Sequence, residues 1–277
     1  MESCFCCPVC GQPLTVEPSA YHCPQGHLFD RAAKGYVNLL LPNQRNSPEP
    51  GDDRNCLRAR QRFLNGGFYA PLAEQACAWA AAHTPDAPTV LDCGCGEGYY
   101  TRSLRAALTA AGKTPRMAGF DISRSGIKMA ASRNDPTEFA VASIFRIPVC
   151  SERIDLALLC FAPYCDTEIT RILKPGGILM HIFPGKRHLY GLKKVLYCHP
   201  YENDEQTAQS AQLTETTRLR VNGRLLLDAA QAADLLAMTP YAYRTDPAAM
   251  DRLQQLPQLE TETEFIIQIL RKPNPGV

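Results

Sequence analysis

The stretch "TVLDCGCGEGYY", residues 89–100, decides the fold of this chain. Val90 and Leu91 are strand residues, and Gly94, Gly96 and Gly98 at alternate positions make a turn foreign to the interior of a strand or helix. The next segment, "YYTRSLRAALTAAG", reads as a helix stopped by Gly112. Glycines between a strand and a helix let the backbone approach a ligand with no Cβ in the way. The spacing is Asp92-x-Gly94-x-Gly96-x-Gly98, which is not the G-x-G-x-x-G of dinucleotide-binding folds.

Working outward, "RMAGFDIS" predicts a second strand closing on Asp121, followed by a helix over about 123–133. "EFAVASIFRIP" reads as a third strand and loop, and "RIDLALLCFAPY" as a fourth strand. A short helix over "TEITRILKPGG" and a fifth strand at "ILMHIFPG" follow, so "LKPGG" (173–177) is expected between the fourth and fifth strands. Upstream, "LAEQACAWAAAH" (72–83) is a helix with Pro71 at its first turn. Strand and helix alternating at this spacing predict an α/β fold with a mostly parallel sheet and helices on both faces. Ligands in such sheets sit at the carboxyl ends of the strands, where the order reverses. The glycine turn and Asp121 belong there, and a carboxylate at the end of the second strand suits a ribose diol.

The N-terminus poses a separate question. "CFCCPVCG" (4–11) places four of the thirteen cysteines within seven positions. Two of them form Cys7-x2-Cys10, and twelve residues further along stands Cys23-x3-His27. Zn²⁺ in structural sites takes four thiolate or imidazole ligands in a tetrahedron. Pro8 and Gly11 around the first pair, and Pro24 and Gly26 around the second, supply the tight turns that aim both ligands of a pair at one ion. Cys7, Cys10, Cys23 and His27 are therefore the expected metal ligands, with Cys4 and Cys6 left outside the set. All four positions are filled from the protein, so the metal is expected to be structural.

Lys and Arg number 29 against 28 Asp and Glu, a net charge of +1. That balance excludes a wholly basic wrapping protein and leaves room for a local basic site. Met1, Glu2 and Ser3 are followed by no apolar signal core, and no run approaches the ~18–20 apolar residues of a membrane span. A cytoplasmic protein with no membrane contact is expected, where an odd number of cysteines stays reduced.

Asp92, the three glycines, Asp121 and "LKPGG" together resemble the class I S-adenosylmethionine-dependent methyltransferases, whose sheet is Rossmann-like. The resemblance implies that the glycine turn (Asp92, Gly94, Gly96, Glu97, Gly98) holds the methionine and ribose portions of S-adenosyl-L-methionine, and that Asp121 holds the ribose hydroxyls. With the cysteine knuckles, "FDRAAKGYVNLLLP" (29–42), "PGDDRNCLRARQRFLNGGFYAPL" (50–72), "FPGKRHLYGLK" (183–193) and "MTPYAYR" (238–244), nearly the whole chain resembles the RlmA family of 23S rRNA (guanine-N1)-methyltransferases. That family is similar to the tylosin-resistance methyltransferases, so macrolide resistance is among the implied consequences. Position by position, the resemblance makes Tyr69, Gly96, Glu97 and His188 cofactor contacts and Cys7, Cys10, Cys23 and His27 zinc ligands. It also implies a homodimer holding 23S rRNA in a shared cleft. The expected organisation is a zinc-binding domain over 1–36, a linking and contacting segment over 37–70, and a methyltransferase domain over 71–277.

"FAPY" (161–164) stands where amino-methylating enzymes carry an Asn/Asp-Pro-Pro-aromatic motif, and the missing Asn or Asp favours a ring nitrogen as acceptor. Guanine N1 carries a proton at neutral pH that must be removed or stabilised elsewhere. The residues single out no base: Glu97 and His188 are explained by binding, and Asp155 by structure. Candidate RNA contacts are Arg58, Arg60, Arg62, Lys186, Arg187, Lys193 and Lys194, with Tyr69, Tyr164 and Tyr190 as stacking faces. His181 and Trp79 read as core, and "YENDE" (201–205) as a surface loop. Two other readings remain at this level: a small-molecule methyltransferase acting on a quinone or natural product, and a non-catalytic zinc-ribbon RNA-binding protein.

Overall fold

The computed structural model describes residues 2–44, 47–132 and 136–274. Glu2–Cys6 (β1), Pro13–Val16 (β2), Ala20–His22 (β3) and Leu28–Asp30 (β4) form an antiparallel sheet in the order β1-β2-β3-β4. The first cysteine knuckle joins β1 to β2, and the second joins β3 to β4. Cys4 and Cys6, outside the expected ligand set, are residues of β1.

Val37–Asn38 (β5), Arg54–Asn65 (α1) and Ala70–His83 (α2) come next. The described residues of 37–70 include regular elements: β5 pairs in parallel with the large sheet through Val37 and Ala140, and Asp53 caps α1 by accepting from the backbone N–H groups of Asn55 and Cys56 at 2.8 Å. Then follow Thr89–Cys93 (β6), Tyr99–Ala110 (α3), Arg116–Asp121 (β7), Arg124–Ala131 (α4) and Glu138–Val141 (β8). The helix expected to run to about 133 ends at Ala131, and residue 133 lies outside the described residues. Ile154–Cys160 (β9), Asp166–Ile172 (α5), Leu173–Pro184 (β10) and Tyr190–Leu196 (α6) complete the alternation. Last come Thr214–Leu227 (β11), Ala229–Ala237 (α7), Pro247–Gln255 (α8) and Leu259–Arg271 (β12).

The large sheet has the order β11-β12-β10-β9-β6-β7-β8-β5, with β12 antiparallel to both its neighbours and the strands from β10 to β5 parallel. From β6 the chain proceeds to β7 and β8 on one side, then returns to β9 and β10 on the other. The reversal beside β6 opens a crevice at the carboxyl ends of β6 and β9. "LKPGG" is not a separate loop but the start of β10, with a register shift between Leu173 and Ile178. The long pair β11 and β12 was not expected from the sequence.

Successive residues of the central strands point to opposite faces. Val90, Leu156 and Leu158 join Leu72, Ala76 and Leu108 of α2 and α3 on one face. Leu91, Ala157 and Leu159 join the other, which explains why β9 reads as a continuous apolar run. This second face is covered partly by the small sheet: Phe5, Leu14 and Tyr21, all at most 1% exposed, pack into the same cluster as Leu91 and Phe120. Each such side chain contributes roughly 1.5–3 kcal/mol of burial. Polar ties add to the docking, with Ser3 Oγ and Cys4 N donating to the Glu138 carboxylate and Cys6 N donating to Pro148 O at 2.8 Å.

Asp155 accepts from Thr89 N at 2.8 Å and Lys174 Nζ at 2.7 Å, fastening β9 to β6 and β10. His181 is buried, with Gln268 Oε1 3.4 Å from its Nδ1, and burial pushes its pKa down to about 4. Trp79 is only partly buried and stacks on His83. Among the described residues no helix is long and apolar enough to cross a membrane.

Candidate active site and metal centre

The crevice begins where β6 ends. Gly94, Gly96 and Gly98 take φ of 82°, 54° and 83°, the left-handed region that favours glycine. Gly94 is constrained twice, because a Cβ there would lie 2.6 Å from the Cβ of Ala162 in the "FAPY" turn. The turn is stapled to β7: Gly94 N and Cys95 N both donate to Phe120 O, at 2.8 and 3.0 Å. Asp121 closes it, its Oδ2 accepting from Gly96 N at 2.9 Å and its Oδ1 from Ser123 N at 2.7 Å. An ionised carboxylate accepts about four hydrogen bonds, so two backbone partners leave capacity for a vicinal diol.

Asp92 sits beneath the turn, 1% exposed, and accepts from Thr101 Oγ1 at 2.5 Å, tying β6 to α3. Burial pushes its pKa up to about 7 against the opposing Thr101 bond, and the nearby Asp121 adds to the rise. Asp121 is raised as well, chiefly by burial. Glu97 is buried; its Oε2 lies 3.4 Å from Arg102 Nη2 and 3.5 Å from Gln61 Nε2 of α1.

A second wall is aromatic. Tyr69, just before α2, and His188, after β10, are 3% and 6% exposed and meet at 3.3 Å between Oη and Nε2. His188 Nδ1 accepts from the backbone N–H of Glu264 at 3.2 Å, which places the ring proton on Nε2. Burial holds its pKa down at about 3, and the charge of Lys193 lowers it further. The ring is neutral at physiological pH with no free lone pair, so it is built to position and not to take a proton. Phe265 packs edge-on against Tyr69, with 4.7 Å between centroids. The "FAPY" turn joins the two walls, Ala162 meeting Gly94 while Phe161 lies over His188.

At the other end of the chain the expected ligand set converges. The ligand atoms of Cys7, Cys10, Cys23 and His27 all lie within 4.8 Å of one another. Cys7 Sγ to His27 Nδ1 is 3.5 Å, and Cys10 Sγ to Cys23 Sγ is 3.3 Å. A tetrahedron with Zn–S of about 2.3 Å has edges of about 3.8 Å, so donor chemistry and spacing fit zinc. The turns close as the spacing required, Gly11 N donating to Cys7 O at 2.8 Å and Gly26 N to Cys23 O at 2.9 Å.

Two protein families match the chain. The zinc ribbon described as "RlmA, N-terminal" matches residues 5–48, and a methyltransferase domain family matches residues 86–231. The chain is 32% identical to the 23S rRNA (guanine(748)-N(1))-methyltransferase of Streptomyces fradiae, covering 97% of this chain and 96% of that one. It is also 32% identical to a protein of Micromonospora griseorubida provisionally named a 23S rRNA (guanine-N(1)-)-methyltransferase, over 88% of each chain. A Bacillus subtilis (strain 168) protein with the same provisional name is 30% identical over 94% of this chain and 93% of its own. The chain belongs to the RlmA methyltransferase family. It is an S-adenosylmethionine-dependent methyltransferase with an N-terminal zinc ribbon.

The RlmA-family cations divide by placement. Arg58 of α1 and Lys186 and Lys194 flanking His188 are exposed. Arg187 is exposed too, but it pairs with Glu262 at 3.1 Å and lies 4.0 Å over the Tyr190 ring. Arg60 turns inward: it pairs with Asp52 at 2.6 Å, and its Nη1 is 3.5 Å from where a Cβ on Gly96 would stand. Arg62 is engaged by both carboxylate oxygens of Asp234. Lys193, expected among the surface cations, is fully buried. Its Nζ donates to Tyr201 O at 2.9 Å and Asn203 Oδ1 at 2.6 Å, so it does not face solvent where a phosphate would lie. Tyr69 is likewise too buried to offer a stacking face, and Tyr164 is anchored on Asp166.

Asn203 of "YENDE" was not expected to matter. Its side-chain amide donates to Gly185 O and His188 O at 3.0 Å each, while its Oδ1 accepts from Lys193 and from Tyr241 Oη. It holds the His188 loop in place. Thr101, the partner of Asp92, also escaped notice, although a hydroxyl nine residues after a motif acid is a readable signal for a helix facing its strand.

Proposed function

We propose that this protein transfers a methyl group to N1 of a guanine in a hairpin loop of 23S rRNA, in the cytoplasm and as a homodimer, with the zinc ribbon helping to recognise the RNA. The observation that carries the reading is a ribbon whose Cys7, Cys10, Cys23 and His27 converge as a ligand set and which shares one core with the glycine-turn sheet, in a chain whose relatives over nearly its full length are named guanine-N1 methyltransferases. S-adenosylmethionine, when bound, supplies an electrophilic methyl group on a sulfonium, so the protein's main task is alignment.

Asp121 would hold the ribose hydroxyls, Gly94 to Gly98 would line the backbone approach, and Glu97, Tyr69 and His188 would complete the cofactor walls. Asp92 supports the turn from below through Thr101. The acceptor side is set by "FAPY", which lacks the Asn or Asp that amino-methylating enzymes place there, in keeping with a ring nitrogen. Arg58, Lys186, Arg187 and Lys194 would meet phosphates, whereas Arg60 and Arg62 are committed to carboxylates and Lys193 to the interior. A domain division at 1–36, 37–70 and 71–277 remains a useful scheme for truncation, with 37–70 read as an integral part of the crevice.

The test is methyl transfer from labelled S-adenosylmethionine to unmethylated 23S rRNA, mapped by primer extension. A methyl on N1 blocks the Watson–Crick edge, so extension stops at one guanine. Cofactor binding with no label in any RNA would overturn the rRNA reading and direct the search to small molecules.

A further inference from the structure

Among the described residues, Glu152, Phe161 and Leu189 are the non-glycine positions with left-handed backbone, at φ of 56°, 54° and 57°. For a bulky aromatic this conformation is a real outlier, and such strain concentrates at functional sites. Phe161 is also 44% exposed, where an apolar ring gains little from burial. What holds it there is visible. Its N–H donates to Ile182 O at 3.0 Å, fixing the first residue after β9 to β10. Its ring lies 6.4 Å from that of His188 at 24° and 5.9 Å from that of Phe265. The next residue, Ala162, abuts Gly94 of the cofactor turn.

We propose that Phe161 is the platform on which the target guanine stacks, an inference that rests on the RNA-methylating reading of this site. The strained backbone turns the ring out of the sheet at the carboxyl end of β9, beside the cofactor turn. One side leans on His188 and Phe265; the open side offers an unstacked base a π-face. The other aromatic of the turn is unsuited. Tyr164 is half-buried, its hydroxyl donates to Asp166 Oδ1 at 2.5 Å, and its ring stacks on His181 at 6.0 Å. The stacking ring is thus at the first position of "FAPY" and not at the fourth, where the amino-methylating motif carries its aromatic. Phe161 touches substrate in this proposal and takes no proton, so it is a binding platform that aligns N1.

The experiment compares wild type with Phe161→Ala, Phe161→Leu and Phe161→Trp, reading kcat and KM for 23S rRNA and calorimetric affinity for S-adenosylhomocysteine. Loss of one base–aromatic stack predicts a fall in kcat/KM of roughly 5- to 150-fold for Ala. Leu, which keeps apolar bulk on His188 and Phe265 without a π-face, should fall similarly. Trp should restore most of the activity, and cofactor affinity should stay within about twofold throughout. If Ala or Leu matches an active wild type, or if Trp is as weak as Ala, the platform is refuted while the rRNA reading stands. If wild type itself labels no rRNA, the rRNA reading fails and this proposal falls with it.

Discussion

The contact between Gly94 and Ala162 can be taken apart by substitution. Gly94→Ala meets two separate obstacles. The residue sits at φ of 82°, and a non-glycine residue there costs about 1–2 kcal/mol. The added Cβ would also lie 2.6 Å from Ala162 Cβ, with Ala162 Cα next at 3.9 Å. Forcing a methyl against Ala162 costs about 1–3 kcal/mol. The single variant should therefore lose about 2–5 kcal/mol, or about 5–15 °C in Tm. Ala162→Gly removes the one atom in the way and by itself costs about 0.5–1 kcal/mol through backbone entropy. In the double variant the clash disappears and the φ penalty remains, so urea denaturation of all four proteins should give a favourable coupling of about 1–3 kcal/mol. Cofactor affinity should follow the same pattern, because the displaced turn carries the Gly96 N–H that holds Asp121. Additive losses, with coupling below about 0.5 kcal/mol, would refute the claim that "FAPY" and the glycine turn are packed against each other.

Asp92 carries a pH signature. Its folded pKa, about 7, lies above the unfolded ~3.9, so the native state holds a proton that the unfolded state releases. Stability should therefore fall as pH rises from about 4 to about 7 and level off above, and Asp92→Asn should abolish that slope in urea titrations. An unchanged slope would show that another group is responsible. Stripping zinc with a chelator, or Cys10→Ser, should remove one metal per chain by elemental analysis and lower Tm by about 10 °C or more, since folding of such ribbons is coupled to metal binding. An unaltered melt would disprove a structural metal. Asn203→Ala should cost about 2–4 kcal/mol, because it strips an acceptor from the buried Lys193 and a donor from two carbonyls of the His188 loop. It should also raise KM for the cofactor; a neutral result would return "YENDE" to the role of a plain surface loop.

The parts of the molecule that could be read from the sequence are those made by neighbours along the chain. Strand, glycine turn and helix from Thr89 to Ala110 are local, as are the two cysteine knuckles, and each announces itself through residues with restricted φ or metal-binding chemistry. The position of Asp121 could be read because it ends a strand adjacent to β6. The misplaced cations involve partners outside their own element. Lys193 looks like one charge among several in "GLKK", and nothing near it reveals that Tyr201, Asn203 and Tyr241 enclose its ammonium. Arg62 is released or captured depending on Asp234, a residue 172 positions away.

The last two strands are a different kind of miss, because their signal was present. "LETETEFIIQILR" alternates through Thr261, Thr263 and Phe265, and the structure buries those three while Glu260, Glu262 and Glu264 are more open. Its partner, β11, is a mostly exposed strand of 14 residues in which Thr, Glu and Arg dominate the first half, a composition that hides a strand whose apolar residues are concentrated at the far end. Yet this pair is what finishes the crevice. Glu264 supplies the N–H that fixes the tautomer of His188, and Phe265 supplies the ring beneath Tyr69 and Phe161. The glycine-turn wall of the crevice is therefore written in the first half of the Rossmann-like sheet, where spacing and glycine reveal it. The wall made by Tyr69, His188 and Phe265 depends on an antiparallel strand arriving from the far end of the chain, so it becomes visible only when that strand is in place.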